Sequence, residues 1–430
     1  MKGDFSRLTF DAKKHFSRVL MQQGRVQLDA DWNEQHAISL HYLQTLAKDL
    51  IGDHGGPKND LGFAIVTDPK EIPETSRQKE SKDSSPFFIG KGRYYVNGIQ
   101  ITAEKYYGVF DQPDYPHLKK DKFEAGNYLV YLDVWEHHVT SFEDASIREV
   151  ALENLDTASR AKIVWQVKTV LLANGEIIND TQEASKKLEA LFNKPRAYLS
   201  ASTSQKGTSN TPCTIAPEST YRGQENQLYR VEIYEEDKIF KLKWARDNAS
   251  IVTAAELKGN SLKVSDARGF SAGQWVEITN NDQEYLEQSG QLIKIKSISD
   301  NELTLEKAIN TPLITDPKLI ASPKVRLWDG ANIAIQDKEA IPLADGVVIT
   351  FKADATKATE YRSGDYWLIP VRVATGKVEW PDEPQPPYGI NHNYAPLATI
   401  EVQADGGVNH DKELRKEFES LATPVKKFVT

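Results

Sequence analysis

Residues 226–250 read NQLYRVEIYEEDKIFKLKWARDNAS, and this stretch decides the fold class. Leu228, Arg230 and Glu232 alternate with Tyr229, Val231 and Ile233, the two-residue period of a strand with one apolar face. Asp237 and Lys238 break the alternation as a turn, and Phe240, Leu242 and Trp244 resume it on the returning strand. The spacing predicts a β-hairpin. The same pattern of short alternating runs bounded by Gly, Asn, Asp and Pro recurs along most of the chain.

Downstream, LKVSDARGFSAGQWVEITN (262–280) and QLIKIKSISDNELTLEKAI (291–309) hold several short strands separated by turn residues. They predict a small β-barrel or sandwich over 254–312. It reads as an insertion, because FKLKWARDN before it and KVRLWDG after it look like two strands of one sheet. Further strands are expected at 346–352, 361–373 and 397–402. Upstream, Asn97-Gly98 between Tyr95-Val96 and Ile99-Gln100-Ile101 is a hairpin signal, since both residues tolerate positive φ. Strands are expected at 127–140 and 158–170, a helix or turn at 146–152 and a short helix at 181–192. Residues 57–86, 111–126 and 200–219 read as loops. The fold class is α+β and mainly β: an extended N-terminal arm and amphipathic helix, an antiparallel β body and an inserted small β module. The domain reading is 1–56, 57–253, 254–312, 313–405 and a charged tail or short helix over 406–430.

The N-terminal helix is expected from Asp31 onward, with Leu43, Leu46, Ala47 and Leu50 spaced to share one face. Asp29 and Asp31 are candidate N-caps, and Gly52 with Gly55-Gly56-Pro57 ends the helix. Residues 1–28 have too few apolar side chains to build a core, so they read as a docking arm.

Composition narrows the function classes. At 430 residues the chain has room for two or three domains. A net charge of −9 and pI near 5.6 argue against a nucleic-acid surface. One cysteine, Cys213, excludes an intramolecular disulfide and a thiolate cage. No apolar run nears the ~20 residues that cross a bilayer as a helix. Synthesis in the cytoplasm is the expectation.

Four constellations carry candidate chemistry. Gly269-Phe270-Ser271-Ala272-Gly273 matches the nucleophile-elbow pattern, with His54-Gly55-Gly56 as a conceivable oxyanion loop and His392 or His410 as base. An elbow needs a helix after the serine, and QWVEIT reads as a strand, so a tight turn is expected. Asp29-x-Asp31-x-Asn33 opens like a calcium loop but has Glu34 and Leu40 where Gly and Glu are required. Capping and a salt bridge to Arg25 explain it better. Glu136-His137-His138 places adjacent imidazoles on opposite faces of a strand, a poor chelate. Tyr366-Trp367, Trp380, Tyr388 and Tyr394 form an aromatic series suited either to stacking a sugar or to an assembly surface. No catalytic residue, metal or cofactor is expected.

The opening MKGDFSRLTFDAKKHFSRVLMQQGRVQLDADWNEQ (1–35) resembles a bacterial family of uncharacterised proteins. The likeness continues in YLDVWEHHVTSFEDASIREVAL (131–152), RAKIVWQVK (160–168), ENQLYRVEI (225–233), KWARDNAS (243–250) and YRSGDYWLIPVRVATGKVEWP (361–381). It departs around 175–210. The resemblance implies a component encoded with phage-tail-like contractile injection systems, beside baseplate and tail proteins. The expectation is a structural subunit of baseplate, adaptor or cap type, homo-oligomeric in a particle released from the cell or attached to a membrane. Its partners would be tube, sheath, baseplate or cap proteins, with no nucleic acid and no membrane insertion. The rival reading is a surface carbohydrate-binding or glycan-hydrolysing protein. Candidate partner-binding residues are Phe5, Phe10, Phe16, Trp32, Trp367, Trp380, Tyr388 and Tyr394.

Overall fold

A computed structural model describes residues 1–73, 85–115, 123–203, 220–309, 323–352 and 360–420. The tail past Ser420 and most of the loop expected at 200–219 lie outside the described residues. The fold is mainly β, built of antiparallel sheets, a closed six-stranded barrel and an N-terminal helix.

The hairpin that opened the sequence reading forms as expected. Gln227–Glu236 pairs with Ile239–Ala245 across Asp237 and Lys238, both at positive φ. It is the centre of a five-stranded sheet completed by Gly330–Ala334 on one side and by Tyr366–Arg372 and Lys377–Val378 on the other. One face, with Tyr229, Val231, Ile233, Leu242, Trp244 and Trp367, packs on a three-stranded sheet through Leu199, Ile349 and Phe351. A second body is centred on Gly126–Val139, paired with Arg160–Leu171 and Asn393–Val402. Tyr128, Val130, Leu132 and Val134 bury against the N-terminal hairpins. Leu129 and Tyr131 point the other way, onto Ala184 and Leu188 of the helix Thr181–Phe192. That helix has the predicted bounds, and Asp180 caps it by accepting from the Glu183 N–H.

The barrel runs Val252–Lys258, Ser261–Val264, Glu302–Leu305, Gln291–Ser299, Trp275–Thr279, Lys324–Trp328. Two expectations change. The inserted unit is wider than 254–312, because Lys324–Trp328 closes it by pairing with both Val252–Lys258 and Trp275–Thr279. KVRLW is therefore a barrel strand, and Gly330–Ala334 is the strand that joins Ile239–Ala245. Both segments place apolar residues at every second position, Val325 and Leu327 in one and Ala331 and Ile333 in the other, so pattern alone had no means of ranking the pairings.

α1 spans Asp29–Ile51 and ends at Gly52 as expected. Its N-cap position is Leu28, without a side-chain cap. Asp29 instead accepts from the Ser6 backbone N–H at 2.9 Å and so pins the arm to the helix. Under α1 lies the tip of the Asn97-Gly98 hairpin. A Cβ on Gly98 would meet the Gln44 carbonyl oxygen at 2.1 Å, so the close approach and its φ of 80° both need glycine. The charged C-terminal segment is not a helix over its described part. Val408–Glu413 pairs with Asn393–Val402, and Glu417–Phe418 lies parallel to His54–Pro57.

The arm also differs from the expectation of a free segment. Residues 1–5 run between the two bodies and the barrel. The Met1 carbonyl accepts from Arg230 and Asn248, and the Gly3 carbonyl accepts from Asn248 at 2.8 Å. Phe5 packs on Leu228, Tyr366 and Leu368. Only from about residue 8 onward does the arm lie on the outside.

Candidate functional site

Two regions stand out: a charged junction where three units meet, and an apolar surface on the arm and α1.

The junction is built on the face of the five-stranded sheet that reads as polar. Arg230, Glu232 and Lys243 are all buried there, beneath Met1–Phe5 and the barrel. Lys243 Nζ donates to Glu277 of the barrel at 2.6 Å and sits 3.1 Å from Glu232. The Glu277 carboxylate also accepts from Ser289, the Gly290 N–H and the Trp328 indole. Arg230 binds Glu232 at 2.7 Å and lies 3.7 Å above the Tyr366 ring. Lys2 reaches Glu232 at 3.2 Å. Burial would raise the Glu277 carboxyl, but the Lys243 and Lys2 charges outweigh it and hold it at about 2. Glu232 is likewise held well below the usual range.

On the barrel's other flank, Lys324 Nζ bridges Glu143 and Glu284. His137, Glu143 and Glu284 offer ligand atoms within 4.8 Å of one another. The two carboxylates already hold the Lys324 ammonium, which neutralises them, so a metal ion would have to displace a buried lysine. His138 points away from this group, toward Gly3 and Phe5. Burial lowers it to about 2, so it is neutral. A cavity of about 410 Å³ lies among these groups. Of its six acidic lining residues, Glu143, Glu232, Glu277 and Glu284 are answered by Lys2, Arg230, Lys243 and Lys324, Glu287 contacts His392, and Glu136 is exposed.

His392 forms a further link. Its Nδ1 contacts Asp133 at 2.6 Å, and its Nε2 contacts Glu287 in the barrel. Lys168 donates to the second Asp133 oxygen at 2.6 Å. Burial opposes the imidazolium, but the two carboxylates outweigh it and raise His392 to about 9.

The nucleophile constellation does not assemble. Ser271 sits in a turn with Gly269 and Gly273 at positive φ, and the strand Trp275–Thr279 follows it. His54 is in a strand, bound to the Tyr94 hydroxyl and lowered to about 4 by burial. Ser271→Ala is therefore expected to leave melting temperature and esterase background unchanged. A hydrolytic activity lost in that variant while its fold persists would restore the serine reading.

The candidate partner-binding aromatics divide. Trp367 belongs to the core, its indole donating to the Gln385 carbonyl, and Phe5 packs inward. Tyr394 is half-buried and stacks on Phe192. These three are corrections to an exposed aromatic surface: their strand faces or neighbours turn them inside. Phe10, Phe16, Trp380 and Tyr388 come together on one groove of about 810 Å³ between the arm and the proline-rich segment. Trp32 is exposed on α1.

α1 has 23 residues, yet only Ala30 and Ile38 are buried. Trp32, Leu40, Tyr42, Leu43, Leu46 and Leu50 are all exposed, Leu43 at 64% and Leu50 at 60%. The arm adds Leu8, Phe16, Leu20, Met21, Val26 and Leu28, with Val26 at 83%. The arm is held along the helix by Thr9 donating to Glu34 and by the Gln35 side chain accepting from the Val19 N–H. The apolar residues of α1 were legible from spacing; that they face outward was not.

The family model described as a family of unknown function, DUF6519, matches residues 1–197 and 173–423. The chain belongs to this family. Among curated proteins and solved structures, nothing matches it. The matched DUF6519 residues contain both regions: the arm and α1 fall in the first segment, and Arg230, Glu232, Lys243 and Glu277 in the second.

Proposed function

We propose that this DUF6519 chain is a structural assembly subunit, of baseplate, adaptor or cap type, in a phage-tail-like contractile particle. The observation that carries the reading is the exposed apolar surface of the arm and α1. A monomer rarely leaves so many large apolar side chains together in water, and such patches mark protein interfaces. The resemblance of the opening 35 residues and the later blocks supplies the particle class. The charged junction supports a mechanical role: its ion pairs Lys243–Glu277, Lys2–Glu232 and Lys324–Glu143 tie the barrel, the two β bodies and residues 1–5 into one unit. Binding geometry rather than turnover is then the activity.

The glycan-binding alternative has one observation behind it, the groove of Phe10, Phe16, Trp380 and Tyr388 beside Glu34 and Glu379. It leaves the leucines of α1 unexplained.

Changing Phe16, Leu20 and Val26 together to serine tests the assembly reading. All three side chains are exposed, so the variant is expected to stay soluble and melt as the parent does. Co-expressed with the tail and baseplate proteins of a phage-tail-like contractile particle, it is expected to be lost from purified particles. A parent protein that never enters those particles would overturn the proposal.

A further inference from the structure

We infer that the cavity of about 410 Å³ in the junction is a binding site for a small organic carboxylate, with Arg326 and His138 receiving its charged end. Such a site is independent of the assembly reading above.

Arg326 is placed by the alternation of its strand. In Lys324–Trp328, Val325 and Leu327 enter the barrel core, so Lys324, Arg326 and Trp328 turn outward into the junction. Arg326 is 3% exposed and lines the cavity. Its Nη1 donates to the Ala249 carbonyl, while its Nε has no partner and no carboxylate pairs with it among the described residues. Glu277 stands opposite it across the strand pair, but the Glu277 oxygens are taken by Lys243, Ser289, the Gly290 N–H and Trp328. A buried guanidinium without a counter-charge is costly, and an anion bound to it removes that cost. Nε and the adjoining Nη2 form the edge that takes a carboxylate through two parallel hydrogen bonds.

The charges of the junction leave one cation over. Glu143, Glu232, Glu277 and Glu284 are set against Lys2, Arg230, Lys243, Lys324 and Arg326, four against five. Asp133 and Glu287 are matched by Lys168 and His392. Glu136 also lines the cavity, but it is exposed and screened by water. The Met1 amine donates to the Tyr366 hydroxyl and brings no negative charge. A surplus of one suits a monoanion; a dianion such as phosphate overshoots it.

His138 supplies a second donor. Its Nε2 is buried without a partner among the described residues. Burial, then the N-terminal charge and Arg326, keep the ring neutral. A neutral imidazole protonated on Nε2 donates a hydrogen bond without adding charge. The cavity is larger than a bare ion needs and falls within the range of about 300–1,000 Å³ typical of small-molecule sites. Leu40, Ile99, Trp135, Tyr366 and Ile390 give it apolar wall for a hydrocarbon body. Tyr388, 46% exposed, and Glu136 stand where it opens to solvent. The ligand class is a monocarboxylate with a compact aromatic or aliphatic body.

Calorimetric titration of the dialysed full chain with benzoate tests the site. Saturable binding is expected at millimolar concentration or below, and benzamide, the uncharged isostere, is expected to bind about tenfold more weakly or worse. Arg326→Met keeps the length of the stem and removes the charge. It is expected to weaken benzoate by about ten- to a hundredfold. Its melting temperature without ligand is expected to equal or exceed the parent's, since the parent's guanidinium is unpaired. His138→Leu removes the second donor, leaves every charge in place, and is expected to weaken benzoate by about fivefold. It keeps the test open should Arg326→Met fail to fold.

The benzoate and benzamide titrations need no variant at all. Equal binding of the two overturns the inference, because the cavity then selects shape and not charge. So does a parent that binds no benzoate at millimolar concentration, or that binds inorganic phosphate in its place. Benzoate binding unchanged in both variants overturns it as well, because the carboxylate then sits elsewhere.

Discussion

Glu277→Leu is expected to lower folding stability by about 3–5 kcal/mol, the cost of removing one partner from a buried ion pair. The Glu277 carboxylate receives Lys243, Ser289, the Gly290 N–H and Trp328, and Lys243 is only 1% exposed. Leucine has about the right volume but no acceptor. The ammonium then keeps Glu232 as its one carboxylate, which Arg230 and Lys2 already engage, with the Ser289 hydroxyl and the Trp328 ring as its remaining neighbours. The double variant Glu277→Leu/Lys243→Met is expected to recover part of the loss, since it removes the stranded charge as well. Denaturant midpoints at neutral pH measure both. A single-variant loss below about 1 kcal/mol would show that the junction is solvated rather than sealed. Acid adds an independent check. The folded Glu277 carboxyl is held at about 2, below the ordinary 4.5. Its contribution is therefore complete above the unfolded value and is lost as pH falls through about 2, while the Leu variant lacks that component.

The reason this junction escapes a sequence reading lies in Arg230, Glu232 and Lys243. In a two-residue alternation they occupy the polar face of a hairpin, and a polar face normally meets water. Here it meets the barrel and residues 1–5, with Glu277 34 positions from Lys243 in one direction and Met1 229 positions from Arg230 in the other. Local pattern reports which side chains share a face; it carries no information about which distant segment covers that face. The strand Lys324–Trp328 shows the same blindness, since Lys324 and Arg326 are as buried as Val325 and Leu327. Where the determinant was local, the reading transferred well. The Asp237-Lys238 and Asn97-Gly98 turns, the bounds of the helix Thr181–Phe192 and the Gly52 stop depend on nearby residues and are found, whereas the caps expected at Asp29 and Asp31 are not, because the arm engages Asp29 through the Ser6 N–H. Trp367 illustrates the converse: an aromatic near prolines reads as surface until Phe351 and Leu199 are seen to enclose it. On α1 the opposite happened. Leu43, Leu46 and Leu50 have the spacing of a buried face, and they are outside because the helix sits on the body through its other side.

His392→Gln is expected to cost about 2–3 kcal/mol at neutral pH, and the cost is expected to vanish under alkaline conditions. His392 ties Asp133 of the central sheet to Glu287 of the barrel, and its imidazolium is held at about 9 against an ordinary 6.5. A group raised on folding contributes fully below its unfolded value and loses that contribution as pH rises through its folded one. The full difference between parent and variant should thus be seen at about pH 6, with little left by about pH 10. Glu287 is partly exposed, which places the magnitude below the value that the shift alone would give. The neighbours do not imitate this profile. Tyr394, stacked on His392, is pushed up by burial and stays neutral through the window. Asp133, which burial would raise, is held low by His392 and Lys168 and stays ionised throughout. Hydrogen exchange locates the effect: in the parent, amides of the barrel segment 281–291 should open faster as pH rises through 9, after correction for intrinsic rates, while the Thr181–Phe192 helix should not. A parent–variant difference that stays constant from acid to alkali would mean that His392 acts by packing against Trp135 and not by its charge.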